Sequence, residues 1–246
     1  FVDPKGWQKV VGAETILPLL RLNKAEFLIN FMYDFINRFA TFDRHAGDMV
    51  EIFGEVPVFK DETSEQRKSK LLSLYRKNMK AHYGGRTAFV PVQKPGHKRV
   101  HYFLVYLTRH AKGIDVFKAE AESMDNTQRI LQMEYRLRQQ IERSHTGDLF
   151  GGRAEIPETG AEYLDNRLMA KEYLLRHLSH EPTLNDNDKW ADFLEDSDLY
   201  PRDLQIAMKE LVKEDRVRNL DADVSRRRKK PIYPDWPNKS ERWVLV

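Results

Sequence analysis

The 246-residue chain has no cysteine. That excludes disulfide scaffolds, Cys-ligated zinc, iron–sulfur clusters carried by the chain itself and a Cys nucleophile. It accords with a reducing compartment, taken here to be the cytoplasm. No apolar run approaches the roughly 20 residues of a membrane span, so no membrane association is expected. No His-x-Glu, His-Glu-x-x-His or paired-His spacing marks a metal site, and none is expected. A Ser-centred nucleophile elbow is also missing. An excess of one charge is lacking too: 41 Lys and Arg stand against 38 Asp and Glu, a net charge of +3. Any signal for nucleic acid must therefore be local. What is present is a 41% hydrophobic, 11% aromatic composition, enough to bury a core.

The first residues are the most informative. Phe1-Val2-Asp3-Pro4-Lys5-Gly6-Trp7 is an apolar pair running into Asp-Pro-x-Gly-aromatic. It reads as the C-terminal end of a buried parallel strand, the edge at which an α/β sheet places its ligands. The earlier strands of such a sheet, and a Gly-rich cofactor loop, are expected upstream of Phe1. Residues 1–246 alone would leave open the sheet edge that those strands cover. The missing half is expected in cis or in trans.

Periodicity then predicts a helix over Gln8–Leu20, with Pro18 near its end, and a second buried strand over Ala25–Phe31. Tyr33–Phe39 reads as a helix. Residues 43–66 read as irregular with a short helix at Met49–Phe53, and Glu65–His82 as an amphipathic helix. Thr87–Val92 and Val100–Leu107 alternate with period two and form a hairpin through Gln93–Arg99. Ile114–Met124 and Thr127–Arg143 follow as two helices. Parallel βαβ units closed by an antiparallel pair predict the second half of a methyltransferase-like doubly wound sheet, spanning residues 1–146.

Residues 147–160 hold four of the chain's 12 glycines and Pro157, and are expected to be a linker. Residues 161–246 have a different grammar. A helix over Ala161–Leu178 turns Leu164, Leu168, Met169, Tyr173, Leu174 and Leu178 inward, and a short helix covers Asp188–Leu194. A third helix starts at Pro201 and ends near Lys213. Arg216–Leu220 and Arg242–Val246 read as strands around a long basic loop. Three helices with a two-stranded wing predict an α+β winged helix-turn-helix domain.

Several residues carry chemistry in this layout. In amine methyltransferases a strand-end Asp and a Pro turn accept hydrogen bonds from an NH2 group, and an aromatic stacks on the base. Asp3, Pro4 and Trp7 supply that pattern, and an ordinary rigid strand-to-helix turn supplies it equally. Asn30 ends the second strand and either orients Asp3 or caps the next helix, as Asp34 does in the plainer reading. Arg38 faces either the cleft or solvent. Arg109, in Thr108–Gly113, puts a cation beyond a strand end, suited to phosphate and expected beside the same site.

In the small domain, residues 181–200 carry seven acidic residues against one basic, and residues 201–246 eight against twelve. Arg202 and Lys209 on the third helix, with Arg226, Arg227, Arg228, Lys229 and Lys230 in the wing, are the candidate nucleic-acid contacts, for DNA or RNA. A solvated wing in a protein-interaction module is the alternative.

Residues 1–7, Phe27–Phe39 (FLINFMYDFINRF) and Leu104–Gly113 (LVYLTRHAKG) together resemble the three-Cys-motif partner proteins, and the spacing and C-terminal region are similar too. Phe117-Lys118 stands where that family has Met-Lys. The family is bacterial and phage-associated, and pairs with a separate radical-SAM-like protein bearing three cysteines. The resemblance implies a methyltransferase-like Rossmann domain with S-adenosylmethionine as cofactor, held by residues upstream of Phe1. It leaves two functions open. One is a methyltransferase acting on or with nucleic acid. The other is a non-catalytic nucleic-acid-binding or adaptor subunit of a phage-related or defence system.

Overall fold

A computed structural model describes residues 1–4, 11–94, 96–97, 99–144, 160–221 and 241–246. The protein is mixed α/β with two small three-stranded antiparallel sheets. It divides into two compact units: residues 1–110 with 123–153, and residues 111–122 with 154–246.

In the first unit, helix α1 (Ala13–Leu20) precedes strand β1 (Phe27–Phe31), and α2 (Tyr33–Phe39), α3 (Ala46–Phe53) and α4 (Ser64–Tyr83) follow it. Helix α4 starts where a capping box forms. Thr63 Oγ1 accepts from Gln66 N at 3.3 Å, and Gln66 Oε1 accepts from Thr63 N at 2.8 Å. It stops at Gly84, whose φ of 70° suits glycine. Its Leu71, Leu72, Tyr75 and Met79 are buried. The Tyr75 ring stacks on Phe31 of β1 with centroids 4.3 Å apart, and its hydroxyl donates to Val11 O at 3.1 Å. Burial lifts the Tyr75 phenol far above its ordinary range.

Strands β2 (Arg86–Gln93) and β3 (Val100–Thr108) form the expected hairpin, and β1 pairs antiparallel with the far side of β3, Phe27 opposite Leu107 and Phe31 opposite Phe103. Val2 lies on the outer side of β1, in a parallel bridge to Ile29.

The two helices expected between Ile114 and Arg143 are one, α5 (Ala111–Ser144). Asp125-Asn126 marks no break, because Asp125 pairs with Arg129 one turn on at 2.9 Å and no Gly or Pro intervenes. The linker expected at 147–160 lies outside the described residues except for Gly160, the first residue of α6 (Gly160–His177).

In the second unit, β4 (Thr183–Asn185) follows α6, then α7 (Asn187–Ser197), α8 (Pro201–Lys213), β5 (Val217–Asn219) and β6 (Glu241–Leu245). Strand β4 has no counterpart in the sequence reading, because three residues are too few to show a period. Asp186 caps α7 by accepting from Lys189 N at 2.9 Å, and Pro201 opens α8 as expected.

One packing expectation is corrected. Leu168 and Met169 are 60% and 50% exposed, and Ala170, Tyr173, Leu174 and Leu178 form the buried stripe. Leu168 lies two residues before Ala170, about 200° round the helix from it. The segment 111–122 is bound into this unit by buried polar pairs. Trp190 Nε1 donates to Asp115 at 2.9 Å, and Lys118, only 1% exposed, lies 3.7 Å from Asp198.

Candidate functional site

The site in the first unit is built by two neighbouring parallel segments. Val2 N donates to Leu28 O and Asn30 N to Val2 O, each at 2.9 Å, which brings Asp3 and Asn30 to the same strand end. There Asn30 Nδ2 donates to Asp3 Oδ1 at 2.8 Å. Asp3 is exposed and Pro4, directly after it, is buried. Trp7 lies outside the described residues.

The alternative role for Asn30 and Asp34 as helix caps does not hold, since no side chain caps α2. Asn30 spends its amide N–H on Asp3, and its Oδ1 is buried with no partner among the described residues. An unpaired buried acceptor is costly unless something donates to it.

Asp34, also buried, holds two arginines. Arg38 Nη2 contacts its Oδ2 at 2.9 Å and Arg99 Nη2 pairs with its Oδ1. Burial lifts the Tyr33 phenol above its ordinary value, with Arg67 and Arg99 pulling the other way.

Arg99 belongs to the 93–99 hairpin loop, which in sequence reads only as a connection. Because β3 runs antiparallel to β1, this loop reaches past Phe31 and rims the Asp3–Asn30 end of the sheet. The loop is strapped down. Gln132 Nε2 donates to Lys94 O at 2.6 Å and to His97 O at 3.2 Å, while Gln128 accepts from Gln93 N at 2.8 Å and donates to Pro91 O at 2.9 Å. His101, just inside β3, keeps a buried Nδ1 with no partner among the described residues. The signal that finds these residues is the direction of β3: in a sheet closed by an antiparallel strand, the residues before that strand, not those after it, share the Asp3–Asn30 end.

The same register moves Arg109 away. It follows the end of β3 that pairs with Phe27, so it lies at the opposite end of the sheet from Asp3 and Asn30. Its guanidinium donates to Leu20 O at 2.7 Å and to Leu22 O and Tyr83 O, each at 2.9 Å. It sits 3.9 Å over the Tyr83 ring. Such a cation fastens three chain segments.

In the second unit, Arg202 and Lys209 are exposed on α8. Glu210 of α8 and Glu214, just past its end, are paired with α6: Lys171 Nζ lies 2.8 Å from Glu210 and 2.7 Å from Glu214, and Arg167 3.5 Å from Glu210. Hydrogen bonds donated to Glu210 and then Glu214 hold the Lys171 ammonium above its ordinary value, and Lys171 in turn holds Glu210 low. Arg226, Arg227, Arg228, Lys229 and Lys230 lie outside the described residues. At the foot of that segment Arg242 grips Asp221 through Nη2 at 2.6 Å and Nε at 3.0 Å.

Among the described residues no group of three or more His, Asp and Glu is placed to hold a metal ion, and no helix is long and apolar enough to cross a membrane. No protein-family model, curated protein or solved structure matches the chain.

Proposed function

We propose that this chain is the later part of a methyltransferase-like Rossmann domain followed by a winged-helix domain. In this reading it acts on or with nucleic acid in the cytoplasm, beside a radical-SAM-like three-Cys protein. The observation that carries the reading is the Asn30–Asp3 hydrogen bond at the end of two parallel segments. It leaves an exposed carboxylate directly before the buried Pro4, an arrangement that suits an amine NH2. Asp3 accepts from the amine, Asn30 holds Asp3 in place, and Trp7 stacks on the ring that bears the amine. S-adenosylmethionine, when bound, supplies the electrophilic methyl group.

Strand order supports the sheet assignment. Reading across from Val2 through β1 and β3 to β2, only β3 runs against the others. The methyltransferase variant of the doubly wound sheet likewise inserts its last strand antiparallel. Strand β6, last in sequence, lies between β4 and β5 after three helices, which supports the winged-helix assignment. The partner assignment rests on residues 1–7, 27–39 and 104–113 and on the absence of cysteine.

The adaptor reading is favoured by one observation, the exposed basic residues of α8 beside carboxylates already neutralised. Calorimetric titration of the full-length protein with S-adenosylmethionine separates the two. Saturable binding is expected; a folded protein that binds oligonucleotide but no S-adenosylmethionine overturns the enzymatic reading and leaves the adaptor.

A further inference from the structure

We propose that Arg38 and Arg99, held side by side on the Asp34 carboxylate, form a phosphate-binding fork at the rim of the Asp3–Asn30 site, and that its ligand is a phosphodiester of a polynucleotide. The inference rests on the reading above and deepens it by giving the strand-end site a way to grip the backbone of the strand it works on.

Each arginine takes a different oxygen of one carboxylate, so the two guanidiniums are neighbours. Two positive charges on one negative charge leave a net charge of +1. Asp34 is buried, whereas the Arg38 and Arg99 side chains are 55% and 59% exposed. The carboxylate is thus an internal anchor beneath two largely exposed arginine side chains. Apart from the stacking of Arg38 near the Phe35 ring and the pull of Arg99 on the Tyr33 phenol, neither guanidinium has another partner among the described residues. Paired guanidiniums with free donors suit the geometry of phosphate oxygens.

Position adds to this. Asp34 is four residues from Asn30, at most about 14 Å along the chain. Arg99 is brought to the same edge by the strapped hairpin loop. An amine presented to Asp3 therefore has its backbone phosphates within reach of the fork. An isolated tie between loop and helix needs only one arginine, whereas here α2 and the loop each supply one.

The test is fluorescence anisotropy of the full chain with a 12-nucleotide single-stranded DNA and an RNA of the same sequence, across a potassium chloride series. Arg38→Gln and Arg99→Gln, both at exposed side chains, should each flatten the slope of log affinity against log salt by about 0.7, the value of one phosphate contact on a single strand. Asp34→Asn is the sharper variant. Removing a negative charge should strengthen binding of a polyanion if charge alone counts; loss of the anchor predicts weaker binding.

Unchanged slopes in both arginine variants, with the wild type bound, overturn the fork and leave the methyltransferase-like reading standing. A wild type that binds neither strand overturns the fork and the nucleic-acid reading together. Weak oligonucleotide binding beside tight, Arg99-dependent binding of inorganic pyrophosphate assigns the fork to a free phosphate and overturns the polynucleotide ligand.

Discussion

Asn30→Asp tests the geometry on which the strand-end site depends. Asn30 Nδ2 lies 2.8 Å from Asp3 Oδ1, and the substitution exchanges that donor for a second carboxylate of the same shape. Two carboxylates pushed back to about 4 Å repel by about 1 kcal/mol in water and about 4 kcal/mol at an effective dielectric of about 20. Asp3 is exposed, so the lower end applies, about 1–2 kcal/mol. Asn30→Ala is the control, losing the hydrogen bond at about 1 kcal/mol together with the unpaired Oδ1 and bringing no charge. At pH 7 the Asp variant should be the less stable of the two by about 1–2 kcal/mol, a factor of about 5 to 30. The measurement is amide hydrogen exchange in the β1 peptides, corrected for the intrinsic rate at each pH, because it reads this strand without averaging over the second unit.

The sign with pH follows from linkage. In the folded variant the two crowded carboxylates hold a proton more tightly than in the unfolded chain, so the penalty is full at pH 7 and shrinks as pH falls through the carboxylate range. By pH 3 the protonated Asp can donate to Asp3 as the amide did, and the gap to Asn30→Ala should close. Equal protection in the two variants at pH 7, or a gap that persists at pH 3, refutes the Asn30–Asp3 contact.

Two further outcomes test the hairpin loop and the foot of the basic segment. Gly96 has a φ of 76°, and a Cβ there would meet the Tyr135 ring at 2.1 Å. Gly96→Ala should therefore cost about 1–2 kcal/mol from the backbone alone and lower Tm by about 2–8 °C. Adding Tyr135→Ala should restore only the packing part, and an unshifted Tm for Gly96→Ala contradicts the left-handed turn. At Asp221, hydrogen bonds from the Arg242 side chain and backbone pull the carboxyl from 3.8 to about 2. Its folded value lies below its unfolded one, so this contact stabilises above pH 3.8 and is lost as pH falls toward about 2. Carbon-detected NMR titration should place Asp221 well below the ordinary carboxylate range and return it there in Arg242→Gln. A wild-type Asp221 that titrates at the ordinary value refutes the grip.

The elements read correctly from sequence are those whose local signals agree. For α4, a Thr-x-x-Gln cap, a 3.6-residue stripe and a terminal glycine all point to one helix. For β2 and β3, alternation and a glycine-containing loop point to one hairpin. Where local signals conflict or vanish, tertiary structure decides. Asp125-Asn126 looks like a helix break until Arg129 answers the carboxylate. Leu168 and Met169 look inward because they are apolar, but the phase of α6 is fixed by Ala170, Tyr173, Leu174 and Leu178 against the rest of the unit. Strand β4 exists because β6 pairs with it; three residues have no period to read. Asp3 and Asn30 were legible as a pair because each ends an apolar run, and two such runs in a βαβ unit must end on the same side.

Arg99 and Arg109 show what such reasoning lacks. They flank the same strand, Arg99 directly before Val100 and Arg109 directly after Thr108. Were β3 parallel to β1, the residue after it would border Asp3 and Asn30, and Arg109 would be the cation of the site. The antiparallel register exchanges them. Their surroundings follow the exchange. Arg109, at the far end, meets three backbone carbonyls and an aromatic face and is consumed by them. Arg99, at the near end, meets one carboxylate already shared with Arg38, and its side chain is 59% exposed. A residue's place beyond a strand end is thus functional information only once the direction of that strand is known. Here one reversed strand decides which of two arginines is structural and which is left for a ligand.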